Sequence, residues 1–228
     1  MTLETTPLEW QEFRVRGLLI DLDGTLVDST SVVNEQWADI ADHLSIPRSR
    51  VVGRFHGMTA HETMSRIAPD LSPSESERLV AQVHAAEISH ADQGRALPGA
   101  LALLQAVTPD QWCLVTSCPR ELAQARLDGA GLPIPQHMVT ADDVQRGKPA
   151  SEPFQRGAHK LDRLPADCLA IEDAPAGVQA ATAAGCQVLG VGTTHERLAA
   201  TMTTDLEHVV MLAHEDSLII RVAATDLL

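Results

Sequence analysis

From Val15 to Leu22 the chain is almost continuously apolar, the pattern of a short strand covered on both faces, and Gly24 ends it. The spacing then changes. Val32, Val33, Trp37, Ile40, Ala41 and Leu44 recur at helical intervals between Ser31 and Leu44. A second helix is predicted over Ala60 to Ile67. A third is predicted from Pro73 to His90, with Ser72 as its cap and Leu79, Val83, Ala86 and Ile88 as its apolar positions. No strand pattern occurs from Ser31 to Asp92.

Gly94, Pro98 and Gly99 mark a loop, after which strands and helices alternate. Helices are predicted from Gly99 to Ala106, from a first turn at Pro119 to the stop at "DGAG", from Glu152 to Leu161, and over Ala176 to Ala184. Strands are predicted at Trp112 to Thr116, His137 to Thr140, Cys168 to Ile171, Gln187 to Val191 and His208 to Leu212. The tail "EDSLIIRVAATDLL" is either an added edge strand or a frayed end. This alternation implies an α/β fold: a Rossmann-like, mostly parallel sheet with helices on both faces. Residues 1–30 and 95–228 form its core domain, and residues 31–94 form a small all-helical domain inserted after strand one.

Hydrophobic residues make up 44% and charged residues 21%, as in a soluble globular protein, and with three Phe, three Trp and no Tyr the core is aliphatic. A formal charge of −14 excludes a general nucleic-acid footprint but not a small anionic ligand. Cys113, Cys118, Cys168 and Cys186 lack metal spacing and read as reduced thiols of a cytoplasmic protein. The start "MTLETTPLEWQEFRVR" is no signal peptide, and no apolar run reaches membrane-spanning length. His195 and most other histidines read as surface groups.

In an open parallel sheet the ligand lies beyond the carboxyl ends of the strands. Strand one ends in Asp21 and Asp23, the next in Thr116 and Ser117, and the fourth in Glu172 and Asp173, while the third leads to Lys148. Such a set suits a divalent cation and an anionic substrate. Two carboxylates on one face repel unless a cation compensates, and oxygen-only ligation suits Mg2+. Asp21 is placed to attack phosphorus, Asp23 to move protons, and Lys148 to supply fixed positive charge. Thr116 and the amide of Ser117 can hold a phosphate oxygen, aided by the helix starting near Pro119.

"DLDGTLVDS" resembles the signature of the haloacid dehalogenase-like hydrolases. Thr116, "GKP" at Gly147 to Pro149, and "EDAPAGVQAATAAG" from Glu172 to Gly185 resemble the family's later motifs, in order. The resemblance implies that Asp21 is the nucleophile and Asp23 the general acid/base. It implies that Asp21, the backbone carbonyl of Asp23, and Asp173 bind Mg2+, with Glu172 acting behind Asp173. Thr116 and Lys148 match phosphate-holding residues. The helical insert matches the cap of one subgroup, closest to phosphatases of sugars, deoxysugars, polyols or glycerol. Mutases of that subgroup carry a cap histidine where Val33 stands here, and phosphonate hydrolases need a cap lysine, absent between Asp28 and Leu97. A phosphomutase and a non-catalytic phosphometabolite-binding domain are the alternatives. The match departs at "GKPASEPF", where Ser151 and Glu152 replace the usual Pro and Asp. Arg54, His56 and Met58 of the Gly-containing loop are candidates for the sugar end, although His56 is as readily an ordinary loop histidine. Trp37 is either a platform for a polyol or a packing residue. The expected partner is a small phosphorylated metabolite, with no nucleic acid and no membrane. The oligomeric state is open, and a cap that covers the site is compatible with a monomer.

Overall fold

The computed structural model describes residues 10–192, 198–214 and 217–223; His195 lies outside them. The first described elements are β1 (Trp10–Val15), β2 (Gly17–Ile20) and β3 (Val27–Asp28), followed by three helices, α1 (Thr30–His43), α2 (Ala60–Ile67) and α3 (Pro73–Ser89). The chain returns through β4 (Arg95–Ala96) and α4 (Ala100–Gln105) to β5 (Trp112–Val115), α5 (Arg120–Gly129), β6 (His137–Val139) and α6 (Glu152–Lys160). Next come β7 (Cys168–Glu172), α7 (Pro175–Ala184), β8 (Gln187–Val191), β9 (Thr201–Thr203), β10 (Val209–His214) and β11 (Ser217–Ala223).

Six strands form a parallel sheet in the order β6-β5-β2-β7-β8-β9, with β2 inside it. Alternation along β2 explains the two layers of helices. Leu18 and Ile20 face one cluster with Leu103 and Leu104 of α4 and Leu122 and Leu127 of α5. Leu19 faces the other, with Phe154 and Ala158 of α6 and Ala180 and Ala181 of α7. Both faces are covered, which is why β2, β5 and β7 read as unbroken apolar runs.

The expected single strand from Val15 to Leu22 is two strands in two sheets. Val15 pairs antiparallel with Leu218, whereas Gly17 pairs parallel with Cys168, and between them the Arg16 amide donates to the Asp167 carbonyl at 2.7 Å. One residue suffices to change partners when both flanks are apolar. The described part of the tail, β11, is not an edge strand: it is the middle of a three-stranded antiparallel sheet, order β1-β11-β10. The strand expected at His208 to Leu212 belongs there too, and β9 closes the described edge of the parallel sheet instead.

The helical insert has its own core of Trp37, Ile40, Val51, Met64, Leu79, Val80 and Val83. Its helices start where the side chains allow. Thr59 accepts from the Glu62 amide while Glu62 returns a bond to the Thr59 amide, and Ser72 accepts from the Glu75 amide ahead of Pro73. The chain leaves and re-enters the sheet side by side, because β3 and β4 pair antiparallel, Val27 with Ala96 and Asp28 with Arg95.

Candidate active site

Asp21 follows β2 directly, and its amide donates to the Ile171 carbonyl at 3.0 Å, so β7 fixes the end of its neighbour. Glu172 ends β7 and Asp173 follows it. Carboxylate oxygens of Asp21, Glu172 and Asp173 all lie within 4.8 Å of one another. Lys148 reaches this cluster from the loop after β6 and is completely buried. Its ammonium donates to Asp21 Oδ1 at 2.5 Å, Glu172 Oε1 at 2.6 Å and the Val115 carbonyl at 2.9 Å, which uses all three hydrogens. The second oxygen of Glu172 accepts from the amides of Asp173 and Ala174, each at 3.0 Å. Glu172 is therefore satisfied by protein groups.

Two buried carboxylates share one ammonium, with the half-buried Asp173 beside them, and the electrostatics follow. Burial pushes the Asp21 carboxyl up, against the pull of Lys148. Burial, then Glu172 and Asp21, push Asp173 well above its ordinary value. Burial alone would pull Lys148 down, but Asp21 and Glu172 more than offset it and hold it protonated. The set is all oxygen, in excess negative charge, and among the described hydrogen bonds the Asp173 side chain has only a long one, from Thr25 Oγ1 at 3.3 Å. Such donors fit a hard divalent cation. The Asp23–Gly24 turn closes against the same group: Gly24 has φ +88, and a Cβ there would lie 2.0 Å from Asp173 Oδ2.

Asp23 lies apart from that cluster. Its Oδ1 accepts from Ser29 Oγ at 2.6 Å, and its Oδ2 pairs with the Arg126 guanidinium. Arg126 also donates to Glu87 Oε2 at 2.9 Å. Arg126 and Glu87 are 4% and 5% exposed. Burial pushes Glu87 up to about 7, with Arg126 opposing. Neither residue was expected at the site. The signal was present: each interrupts a buried helical stripe, Leu122, Ala123, Arg126, Leu127 on α5 and Leu79, Val80, Val83, Glu87 on α3.

A cavity of about 180 Å3 lies between the sheet edge and the insert. Asp21, Asp23, Thr116, Ser117, Arg126 and Asp173 line it from the core, and Asn34, Trp37, His56, Met58, His84 and Glu87 from the insert. Trp37 is at once a cavity wall and a member of the insert's core. Thr116 Oγ1 accepts from the Cys118 amide at 3.3 Å. One expectation changes. Arg54 is not among the lining residues; it is exposed, and its Nε donates to the Ser49 carbonyl at 2.8 Å. The Ser117 hydroxyl is spent on the insert, donating to the Gly57 carbonyl at 2.8 Å. The amide of Arg120, in the first turn of α5, is also taken, by Asp142 Oδ2 at 2.8 Å.

Strand-end acids around a buried lysine, beneath a helical insert, mark an α/β protein whose site lies at the carboxyl rim of a parallel sheet. The haloacid dehalogenase-like hydrolase family matches residues 15–185, and the chain belongs to it. Hexitol phosphatase A of Escherichia coli is 37% identical over 180 residues, 78% of this chain and 83% of that protein. Glycerol-1-phosphate phosphohydrolase 2 of Saccharomyces cerevisiae is 31% identical over 208 residues, 86% and 81% of the two chains. Among solved structures, a hydrolase from Pseudomonas syringae superposes with a TM-score of 0.75 at 28% identity, covering 84% of this chain and 94% of the other.

Proposed function

We propose that the protein is a Mg2+-dependent phosphatase of a small sugar or polyol phosphate monoester, acting through an aspartyl-phosphate on Asp21. The observation that carries this reading is the meeting of Asp21 and Asp173, from two neighbouring strand ends, on the wall of one cavity, with the buried Lys148 ammonium bonded to Asp21 behind it. The names of the relatives, a hexitol phosphatase and a glycerol-1-phosphate phosphohydrolase, support the substrate class.

Lys148 holds Asp21 Oδ1 and orients the carboxylate, which leaves Oδ2 as the attacking atom. As Oδ2 bonds to phosphorus, the bond from phosphorus to the substrate's alcohol oxygen breaks, and Asp23 gives that oxygen its proton. A water then attacks the phosphorus of the acyl phosphate, Asp23 takes the water's proton, and inorganic phosphate leaves with Asp21 restored. Lys148 keeps its positive charge through both steps, beside the oxygens on which negative charge gathers. Thr116 and the Ser117 backbone, which line the same cavity from the neighbouring strand end, hold the phosphate oxygens. Asp21, Asp173 and the Asp23 carbonyl would hold Mg2+, with Glu172 behind; when bound, the ion neutralises phosphate charge. Residues 31–94 act as a cap on a core of 1–30 and 95–228. The cavity is smaller than the roughly 300 Å3 at which drug-sized sites begin, which favours a small substrate. His56, Asn34 and Trp37 face its sugar end. The four free cysteines fit the reducing cytoplasm.

Phosphate release across hexose, deoxyhexose, hexitol, pentose and glycerol phosphates, with Mg2+ and with EDTA, tests this reading. Turnover of at least one polyol or sugar phosphate, abolished by EDTA and restored by Mg2+, is expected. Full rate in metal-free enzyme, or no release from any member, overturns it.

A further inference from the structure

The mechanism above leaves two buried charges without a role. Arg126 is the only group besides Ser29 that holds the Asp23 side chain among the described hydrogen bonds, and it does so with one arm of its fork while the other arm holds Glu87. The pair costs desolvation, and a buried ion pair is weak evidence of stabilisation: apolar residues of like volume serve as well or better. These charges sit on the cavity wall beside the proposed acid/base. They also bridge two bodies, since Arg126 is on core helix α5 and Glu87 on insert helix α3. The seam between those helices is tight. A Cβ on Gly129, at the end of α5, would lie 2.4 Å from the Ala91 carbonyl, just past the end of α3. Glu87, one turn earlier, is thus anchored near the point where the insert rejoins the core.

We propose that Arg126 is a positioning residue that aims the Asp23 carboxylate at the leaving oxygen, and that Glu87 of the insert fixes Arg126 in place. The proposal rests on the phosphatase reading. Arg126 itself does not contact the reacting atoms. With its fork occupied on both sides, it has little freedom to swing, and the carboxylate it grips keeps lone pairs for a proton. The effect is specific: aim matters most when the leaving oxygen is basic and needs that proton.

The test compares kcat/KM, which reports transfer to Asp21, for glycerol phosphate and for 4-nitrophenyl phosphate, whose leaving group needs little protonation. Arg126→Gln is expected to lose about 100-fold on the alkyl ester, the scale of a general acid, and no more than about 3-fold on the aryl ester. Arg126→Lys, which keeps charge but not the fork, and Glu87→Gln are expected to show smaller losses with the same preference for the alkyl ester. Arg126→Gln also strands Glu87, so its Tm falls. The double variant Arg126→Gln, Glu87→Gln is expected to recover Tm but not alkyl activity. Equal losses on both esters in all variants, or alkyl activity returning with Tm in the double variant, would make the pair merely structural and overturn the proposal. If the parent enzyme cleaves neither ester nor any member of the panel above, the phosphatase reading itself falls, and the proposal with it.

Discussion

Asp21 and Lys148 face each other at 2.5 Å in a site almost closed to water, and each is there because of the other. Removing the nucleophile while keeping its shape separates chemistry from folding. Asp21→Asn is expected to lower turnover by at least ~10^4-fold, the scale seen when a nucleophile is removed, with an unchanged circular dichroism spectrum. Steady-state phosphate release near that of the parent would contradict this. Lys148 behaves differently. Lys148→Met leaves Asp21 and Glu172 buried without their shared counter-charge, and breaking a buried pair this way costs about 3–5 kcal/mol. Urea unfolding should show that loss in metal-free protein, together with loss of turnover.

Long, periodic elements were legible in the sequence: α1, α2, α3 and the strands β5, β7 and β8 lie within two residues of where apolar spacing puts them. The two-residue strands β3 and β4 carry no period to read, and β9 is Thr-Met-Thr, without an apolar alternation. The same rule divides the site. Acids that end strands announce themselves, because a buried run has no other reason to finish in carboxylates. Arg126 and Glu87 sit inside helical stripes, where a charged residue reads as a surface position; apolar spacing on α3 points to Ala86 and Ile88, which are half-buried, whereas the buried position is Glu87. That placement has a pH signature. Between about 4.5, its ordinary value, and about 7, folded Glu87 keeps a proton that the unfolded chain has released. Stability therefore falls as pH rises through that window and is retained below it. Glu87→Gln lacks this titration, so its stability relative to the parent should climb from pH 4.5 to 7, by on the order of 3 kcal/mol at most. Parallel denaturation curves across that range would refute the assignment.

At the scale of the whole molecule, excess negative charge gathered at one rim of the sheet makes the fold responsive to cations. Millimolar Mg2+ is expected to raise Tm by a few degrees through linkage, with Asp173→Asn abolishing the rise; calorimetry with and without the ion decides it. The insert is joined to the rim by the Ser117–Gly57 bond and the Arg126–Glu87 pair, and to the sheet by the β3–β4 ladder. That ladder has an evolutionary implication. Because the outgoing and returning strands are clipped together below the insert, whatever lies between them can be swapped like a cartridge while the register of the sheet stays put. Under the proposed cap role, a lineage could change its substrate by rewriting residues 31–94 around Glu87 while Asp21, Asp23, Lys148 and Asp173 stay where the sheet holds them.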